Sequence, residues 1–183
     1  DSLFSNFLHF DQYFASEQLS DIFLPFVKAQ LVNIASAVPV RERSAQVIVV
    51  LTRKLANITR QIEIFDSLKE LMASHKSYQL RMTFLDLAAN VIDHFSRKFF
   101  KEHFLDSVFK MAGDKVPAVR RKFCTLVVKI KKVLRQNIDT KNLATLKEMI
   151  SLLTLDKDRD VLEAALQANF KLLESNTNSK TQK

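Results

Sequence analysis

The histidines are the first residues whose chemistry could define a site, because imidazole is a common metal ligand. The sequence has four of them. His94 and His103 lie nine residues apart across a predicted break, whereas His9 and His75 belong to separate segments. With one cysteine and no HExxH pattern, this spacing does not predict a zinc site. We therefore expect neither a bound metal nor a cofactor.

The lone cysteine, Cys124, is the strongest candidate for a nucleophile. A reactive thiol needs a nearby base and a group that orients that base. Cys124 instead lies in the middle of a predicted helix, beside Phe123 and close to Leu126. This position predicts a buried structural thiol. We expect no catalytic residue in the chain, and so a protein that is not an enzyme.

Three alternating carboxylates, Asp156, Asp158 and Asp160, could bind Mg²⁺ or transfer protons. They alternate with Lys157 and Arg159 and stand at the start of a predicted helix. Carboxylates at this position cap the helix and interact favourably with its dipole. The pattern favours capping over metal binding.

An aromatic stretch contains Phe99, Phe100, Phe104 and Phe109, which could stack on nucleic-acid bases. The chain has no Trp. Phe100, Phe104 and Val108 recur at the spacing of a helix face that packs into a core. Packing is the favoured interpretation of this stretch.

Charge is concentrated in one segment. Lys and Arg number 28 and Asp and Glu 20, which gives a net charge of +8. From residue 115 to residue 135 there is no acidic residue and there are eight basic ones: Lys115, Arg120, Arg121, Lys122, Lys129, Lys131, Lys132 and Arg135. The apolar stripe of this predicted helix leaves four of them on its exposed side: Arg121, Lys122, Lys129 and Lys132.

This basic segment has three interpretations. It could be a solvated face that acids such as Glu148 or Glu163 balance in part. It could bind an acidic protein or a phosphopeptide, or it could bind the phosphates of a nucleic acid. A single basic helix would contact only a few phosphates, so nucleic acid is the least favoured of the three.

The amino-acid composition restricts which secondary-structure elements can contain these residues. The chain has 1 Gly and 3 Pro, which disfavours tight hairpins and Gly-rich phosphate loops. Apolar residues recur at helical spacing throughout, including residues 47–51, the best strand candidate. The predicted helices cover about 3–14, 20–35, 40–56, 59–73, 77–95, 98–112, 116–135, 140–153 and 158–173.

These helices predict one domain over residues 1–175 and a polar, flexible tail over 176–183. The missing initiator Met suggests a fragment of a longer protein. No apolar run reaches the length of a membrane span, so we expect no membrane insertion. A single cysteine fits a reducing compartment, and we expect a cytoplasmic location, with the nucleus as an additional compartment.

The helices form a repeat of about 40 residues. An aliphatic residue followed by Arg recurs at Arg41, Arg81 and Arg120, at intervals of 40 and 39 residues. Asp114 and Asp156 precede the same point of the third and fourth units. A helix-turn-helix period of this length is typical of an α-solenoid.

These motifs resemble the HEAT repeat, in which the turn contains Asp and the second helix opens with Val-Arg. The resemblance implies an all-α solenoid of about four HEAT repeats, over residues 17–56, 57–95, 96–135 and 139–175, with one leading helix at 2–14. It also implies a ladder of structural residues: Arg41, Arg81, Asp114, Arg120 and Asp156. Ala35 and His75 stand where the first two turns would carry Asp, and Leu162 replaces the fourth Arg.

Residues 38–165 further resemble the HEAT-repeat scaffold and regulatory subunits of the protein phosphatase 2A/4 type, through residues 76–85, 95–100, 116–120 and 157–162. The resemblance implies a non-catalytic subunit that binds a Ser/Thr phosphatase catalytic subunit or its adaptors. The alternatives are a basic nucleic-acid-binding module and a transport-receptor fragment. The residues we expect to bind the partner are His75, Lys76, Lys115, Arg121, Lys122, Lys129, Lys132, Lys157 and Arg159.

Overall fold

The computed structural model describes residues 18–177, apart from the side chains of residues 19, 20 and 174–177. These residues form helices and turns without a β-strand, which confirms the predicted all-α fold. None of their helices is both long and apolar enough to cross a membrane. The predicted leading helix at 2–14 and residues 178–183 of the predicted tail lie outside the described residues.

The chain divides into two compact units, Asp1–Phe99 and Phe100–Lys183. The described part of the first unit contains a π-helical turn at Leu19–Phe23. It continues with α1 (Leu24–Val32), α2 (Val38–Lys54), α3 (Ile58–Met72), α4 (Tyr78–His94) and the start of α5 (Arg97–His103). Helix α2 packs on α1 and α4, and α3 packs on α4. Pairs of helices are thus the building block of this unit.

Helix α2 contains the best strand candidate of the sequence. Val47, Ile48 and Val49 are buried in this helix. Three consecutive residues point in three directions around a helix, so their burial requires neighbours on several sides. Helices α1, α3 and α4 supply those neighbours. The predicted helix is therefore confirmed, and β-branched side chains are tolerated because packing outweighs their lower helix propensity.

The second unit contains the rest of α5, α6 (Leu105–Lys110), a 3₁₀ turn (Met111–Gly113), α7 (Pro117–Val133), α8 (Thr140–Leu153) and α9 (Arg159–Thr177). Helices α7 and α9 pack against each other, and α8 contacts both. Pro117 is the first residue of α7, and Pro39 is the second residue of α2, so both stand in the first turn of their helix. Proline suits this position because the first amides of a helix have no partner within it.

The structure corrects one predicted helix. Residues 98–112 form α5, α6 and a 3₁₀ turn instead of one helix, and the chain bends at Phe104, where φ is −122°. Phe104 and Leu105 are consecutive and both buried. Both side chains are therefore buried on either side of the bend. Packing of the aromatic stretch is confirmed, because Phe99, Phe100 and Phe109 are buried as well.

Candidate partner-binding surfaces

Three arginines at the repeated position hold the turn of their own helix pair. Arg41 Nη1 donates to the carbonyls of Ile34 (3.1 Å) and Ser36. Arg81 Nη1 donates to those of His75 (2.7 Å) and Lys76 (3.1 Å), and Arg120 Nη1 to that of Asp114 (2.8 Å). Arg41 and Arg81 are only 4% and 6% exposed. Each turn is therefore held by an arginine whose guanidinium donates to backbone carbonyls, and this arginine is buried in the first two turns.

Arg120 also joins its own turn to the next one. Its Nε and Nη2 atoms donate to Oδ2 and Oδ1 of Asp156 at 2.7 and 2.8 Å. The hydrogen bonds from Arg120 hold the pKa of Asp156 below its usual value, although burial opposes the shift. The same bonds raise the pKa of Arg120. This bidentate pair links the turns of the third and fourth predicted repeats, and both turns belong to the second unit.

The turns share a second interaction, in which a side chain accepts a hydrogen bond from the backbone N–H of the residue two positions further on. Oδ1 of Asp114 accepts from Val116 N at 2.8 Å, and Oδ1 of Asp156 accepts from Asp158 N at 2.9 Å. In the second predicted repeat, His75 Nδ1 accepts from Ser77 N at 3.0 Å. A histidine therefore replaces the expected aspartate with the same hydrogen bond.

The first predicted repeat obtains this hydrogen bond from a different position. Ala35, which occupies the expected place, has no side-chain acceptor. Asn33 lies two residues earlier, and its Oδ1 accepts from Ala35 N at 3.0 Å. Asparagine is suited to such local turns because its short amide reaches the backbone nearby. We did not predict this residue, although its type and its place before the turn were a sufficient signal.

The lysines predicted at the turns are exposed in the structure. Lys76, Lys115 and Lys157 follow the turn acceptors His75, Asp114 and Asp156 directly, and all three are exposed. Arg159, the other predicted turn cation, is 89% exposed and donates to Glu163 at 2.9 Å. The second, third and fourth turns thus each present one lysine on a backbone segment that internal hydrogen bonds hold in place. Partner binding by these residues stays a prediction.

The basic segment does not form one uniform cationic face. Arg121 Nη1 contacts Asp160 Oδ2 at 3.1 Å, and Lys131 Nζ donates to the carbonyl of Leu172 at 2.8 Å. Together with Arg120, these residues direct three cations of α7 toward α9 and its preceding turn. Lys132 is exposed, whereas Lys122 and Lys129 are half-buried. Asp156 and Asp160 pair with Arg120 and Arg121 of this helix.

A small groove lies between α7 and α9. Its volume is about 140 Å³, and its walls are Cys124, Thr125, Val128, Ala164, Gln167, Ala168 and Lys171. The α9 wall begins at Ala164, one turn after Asp160. The salt bridge between Arg121 and Asp160 therefore stands at one end of the groove.

Lys101 and Asp139 form an ion pair that we did not predict. Lys101 Nζ donates to Oδ1 of Asp139 at 2.7 Å, and the backbone N–H of Arg135 donates to Oδ2 at 2.7 Å. The hydrogen bond from Arg135 N, followed by that from Lys101, lowers the pKa of the buried Asp139. The two residues are 38 apart, close to one repeat period. Residues of opposite charge separated by about one repeat period are a sequence signal that could have predicted this pair.

The remaining candidates for chemistry are structural. Cys124 is 3% exposed, and its burial raises the pKa of the thiol to about 11. Asp158 Oδ1 accepts from Val161 N at 3.1 Å, which confirms its capping role, while Asp156 and Asp160 bind arginines. Among residues 18–177, no three His, Cys, Asp or Glu side chains cluster as metal ligands.

Comparison with known proteins relates this chain to a group of phosphatase subunits. No family model matches it. Over 128 residues, 69% of the chain, it is 33% identical to a mouse protein named serine/threonine-protein phosphatase 4 regulatory subunit 4. It is 30% identical over the same length to the human protein of that name. Since the match covers 15% of either relative, the chain is similar to one small part of these regulatory subunits.

Proposed function

We propose that this chain is a non-catalytic segment of a phosphatase regulatory subunit that binds a Ser/Thr phosphatase catalytic subunit or its adaptor. The observation that carries this proposal is the similarity to two proteins named as regulatory subunits of phosphatase 4. The phosphatase chemistry would then belong to the partner. The same role would place the chain in the cytoplasm, in agreement with a single, buried cysteine.

The geometry of the individual turns supports each of them as a docking site. Lys76, Lys115 and Lys157 occupy the same position of three successive turns and are all exposed. Arg81 and Arg120 hold the turns beneath Lys76 and Lys115 through backbone carbonyls. A rigid backbone reduces the entropy that a binding surface loses when it meets its partner. Exposed lysines on rigid turns suit an acidic surface on a protein partner.

The HEAT-type assignment belongs to the same proposal. Repeated turn arginines, turn acceptors and the Arg120–Asp156 pair all fit it. In such a solenoid, each helix pair packs mainly on its neighbours and leaves its turns available. Helices α7 and α9 illustrate this packing within the second unit.

Nucleic acid is a weaker candidate partner because several cations of α7 already have protein acceptors. Arg120, Arg121 and Lys131 bind Asp156, Asp160 and the carbonyl of Leu172. Fewer cations are then available to release counterions from phosphates. Binding to nucleic acid, or to a small GTPase as for a transport receptor, is therefore an outcome that would replace our proposal.

A binding assay with the purified catalytic subunit of phosphatase 4 tests the proposal. The chain is immobilised, and its affinity is compared with that of a triple variant, Lys76→Glu, Lys115→Glu and Lys157→Glu. The matched control reverses three exposed lysines outside these turns, Lys110, Lys141 and Lys147. We expect the turn variant to bind about tenfold or more weakly, because rim charges steer association and repel when reversed.

The two charge reversals alter the net charge equally, so they separate a specific surface from a general effect. Equal loss in both variants would contradict docking through the turns. Failure of the unaltered chain to bind the catalytic subunit or its adaptors would overturn the proposed function. Dephosphorylation of a model substrate by the chain alone would overturn its non-catalytic role.

A further inference from the structure

One side of α9 carries exposed apolar side chains. Leu166, Phe170 and Leu173 are 51%, 62% and 60% exposed. Residues four and seven apart lie on the same side of an α-helix, so the three form one stripe. Another side of α9 is buried through four apolar residues: Val161, Ala165, Ala168 and Leu172. A helix that is apolar on two sides is typical of one that packs on two sides.

The repeat shows which positions of α7 correspond to this stripe. Asp114 and Asp156 lie 42 residues apart and accept the same backbone hydrogen bond in successive turns, just before α7 and α9. The same interval relates Arg120 of α7 to Leu162 of α9. The stripe stands four, eight and eleven residues after Leu162. Counted from Arg120, the corresponding residues of α7 are Cys124, Val128 and Lys131.

In α7, these three positions face the following helix. Cys124 and Val128 line the groove between α7 and α9, and Lys131 Nζ donates to the carbonyl of Leu172 at 2.8 Å. Cys124 is buried, and Val128 and Lys131 are half-buried. The positions that form the exposed stripe in α9 are therefore those through which α7 contacts the next helix pair.

The first unit shows the same relationship in α2. Counted from Arg41, the corresponding residues are Ala45, Val49 and Thr52, and all three are fully buried. Helix α2 packs on α4, which is the second helix of the following pair. Within each unit, a second helix that precedes another pair thus has these positions covered, whereas α9 has them exposed.

The exposed set is also the most apolar of the three. The positions hold Ala, Val and Thr in α2 and Cys, Val and Lys in α7, but Leu, Phe and Leu in α9. A continuous exposed apolar surface marks a site of interaction with another apolar surface. The stripe offers neither a charge nor a side-chain hydrogen bond to a polar ligand. Its chemistry therefore fits the apolar side of another helix.

We propose that Leu166, Phe170 and Leu173 form the stacking surface for a further helix pair of the same repeat type, supplied by the same polypeptide. The second helix of that pair lies along α9 as α9 lies along α7. It presents small side chains to the stripe, as α9 presents Ala164 and Ala168 to the groove beside α7.

The relatives provide enough chain for such a pair. The match covers 15% of either regulatory subunit, so most of each protein lies outside it. Regular stacking of helix pairs on their neighbours is the way in which a solenoid buries its apolar surfaces. This stacking does not require a phosphatase partner, so it can hold whether or not the proposed function does.

An extended form of the chain tests this surface. The part of the mouse relative that directly follows its counterpart of α9, about 80 residues or two repeat periods, is joined to the end of the chain. The covalent link keeps the added segment close to α9. Hydrogen-exchange mass spectrometry then compares the backbone amides of residues 162–173 in the two forms. We expect exchange to be at least about tenfold slower in the extended form, because stacking suppresses local opening of α9.

Two double variants, made in both forms, show whether the stripe is responsible. Leu166→Gln with Phe170→Gln makes the stripe polar. The matched control, Ile58→Gln with Ile138→Gln, replaces two apolar residues outside α9 that are 63% and 66% exposed. We expect the stripe variant to abolish the slower exchange and the control to alter it by less than about twofold. In the chain alone, the stripe variant should exchange as the unaltered chain does, because exposed side chains contribute little to stability.

Three results would overturn the inference. The first is equal exchange of residues 162–173 in the two unaltered forms, and the second is slower exchange that persists in the stripe variant. The third is a dimer of the chain alone, measured by sedimentation equilibrium, that Leu166→Gln with Phe170→Gln dissociates. That dimer would assign the stripe to a second copy of the chain instead of a further helix pair.

Discussion

Arg120 and Asp156 join two successive helix pairs at a single point. The guanidinium donates to both carboxylate oxygens, at 2.7 and 2.8 Å, while its third nitrogen holds the carbonyl of Asp114. The side chains are 16% and 10% exposed. One arginine therefore closes its own turn and aligns it with the next.

We expect loss of this pair to weaken the second unit. Asp156→Asn and Arg120→Lys should each lower the free energy of unfolding by about 1.5–3 kcal/mol, because each leaves a partly buried charge with poorer hydrogen bonds. The double variant should lose less than the two singles together. Urea denaturation gives these values, and strict additivity would contradict a direct interaction.

The exposed pair Arg121–Asp160 is the matched control for these variants of Arg120 and Asp156. Its side chains are 59% and 68% exposed, and its contact distance is 3.1 Å. The corresponding substitutions Arg121→Lys and Asp160→Asn should change the free energy of unfolding by less than about 1 kcal/mol each.

Acid should remove the contribution of Asp156 to the free energy of unfolding. The hydrogen bonds from Arg120 lower its pKa in the folded state, so near pH 4 the unfolded chain binds more protons than the folded one. The carboxylate of Asp156 contributes fully to stability above the pKa of about 3.9 that it has in the unfolded chain. This contribution is lost as the pH falls through the lower pKa of the folded state. The stability difference between the wild type and Asp156→Asn should therefore shrink below about pH 4. A difference that stays constant between pH 7 and pH 3 would contradict this linkage.

His75 should be replaceable by aspartate. Its Nδ1 accepts the N–H of Ser77, as Asp114 accepts that of Val116. His75→Asp should retain most of the stability of the first unit, whereas His75→Ala should cost about 0.5–1.5 kcal/mol because the amide loses its acceptor. The neighbouring Lys76→Ala is the control and should have little effect. Thermal denaturation followed by circular dichroism measures all three, and equal stability of the Asp and Ala variants would reject this role.

The glycine of the second unit is not required by its conformation. Gly113 does not have a positive φ, and a Cβ atom there would have no neighbour within 4 Å. Gly113→Ala should stabilise the chain by about 0.4–1 kcal/mol, because alanine has fewer conformations to lose on folding. A loss of stability in chemical denaturation would mean that this turn needs freedom that the structure does not show.

Cys124 should react slowly while the chain is folded. Burial raises the pKa of its thiol to about 11, and only the thiolate is nucleophilic. Alkylation by iodoacetamide at pH 7.5 should therefore be slow in buffer and fast in concentrated urea. Mass spectrometry at fixed times measures both rates, and comparable rates would show that the thiol is accessible in the folded chain.

Local periodicity was sufficient to predict most of the helices. The apolar stripe places α8 at Thr140–Leu153, as predicted, and identifies residues 47–51 as part of a helix. It could not predict the bend at Phe104. The apolar stripe shows which residues are buried, but it does not show where a helix is interrupted.

The candidate site, too, could be predicted only in part from the sequence. The recurrence of Arg41, Arg81 and Arg120, and of an exposed lysine at the turns, is visible in the sequence because the repeat is regular. The sequence also showed that α7 is basic. It did not show that Arg121 binds Asp160 and that Lys131 binds the carbonyl of Leu172, both in α9. Nor did it show that Lys132 does not bind these two acceptors.

The sequence by itself determined the helices, their period and the position of the charge, because these depend on spacing along one chain. Only the tertiary structure decided which partner each charge has. The Arg120–Asp156, Lys101–Asp139 and Arg121–Asp160 pairs connect residues 36, 38 and 39 positions apart. Such contacts depend on how one helix pair stacks on the next, and the same stacking forms the groove between α7 and α9.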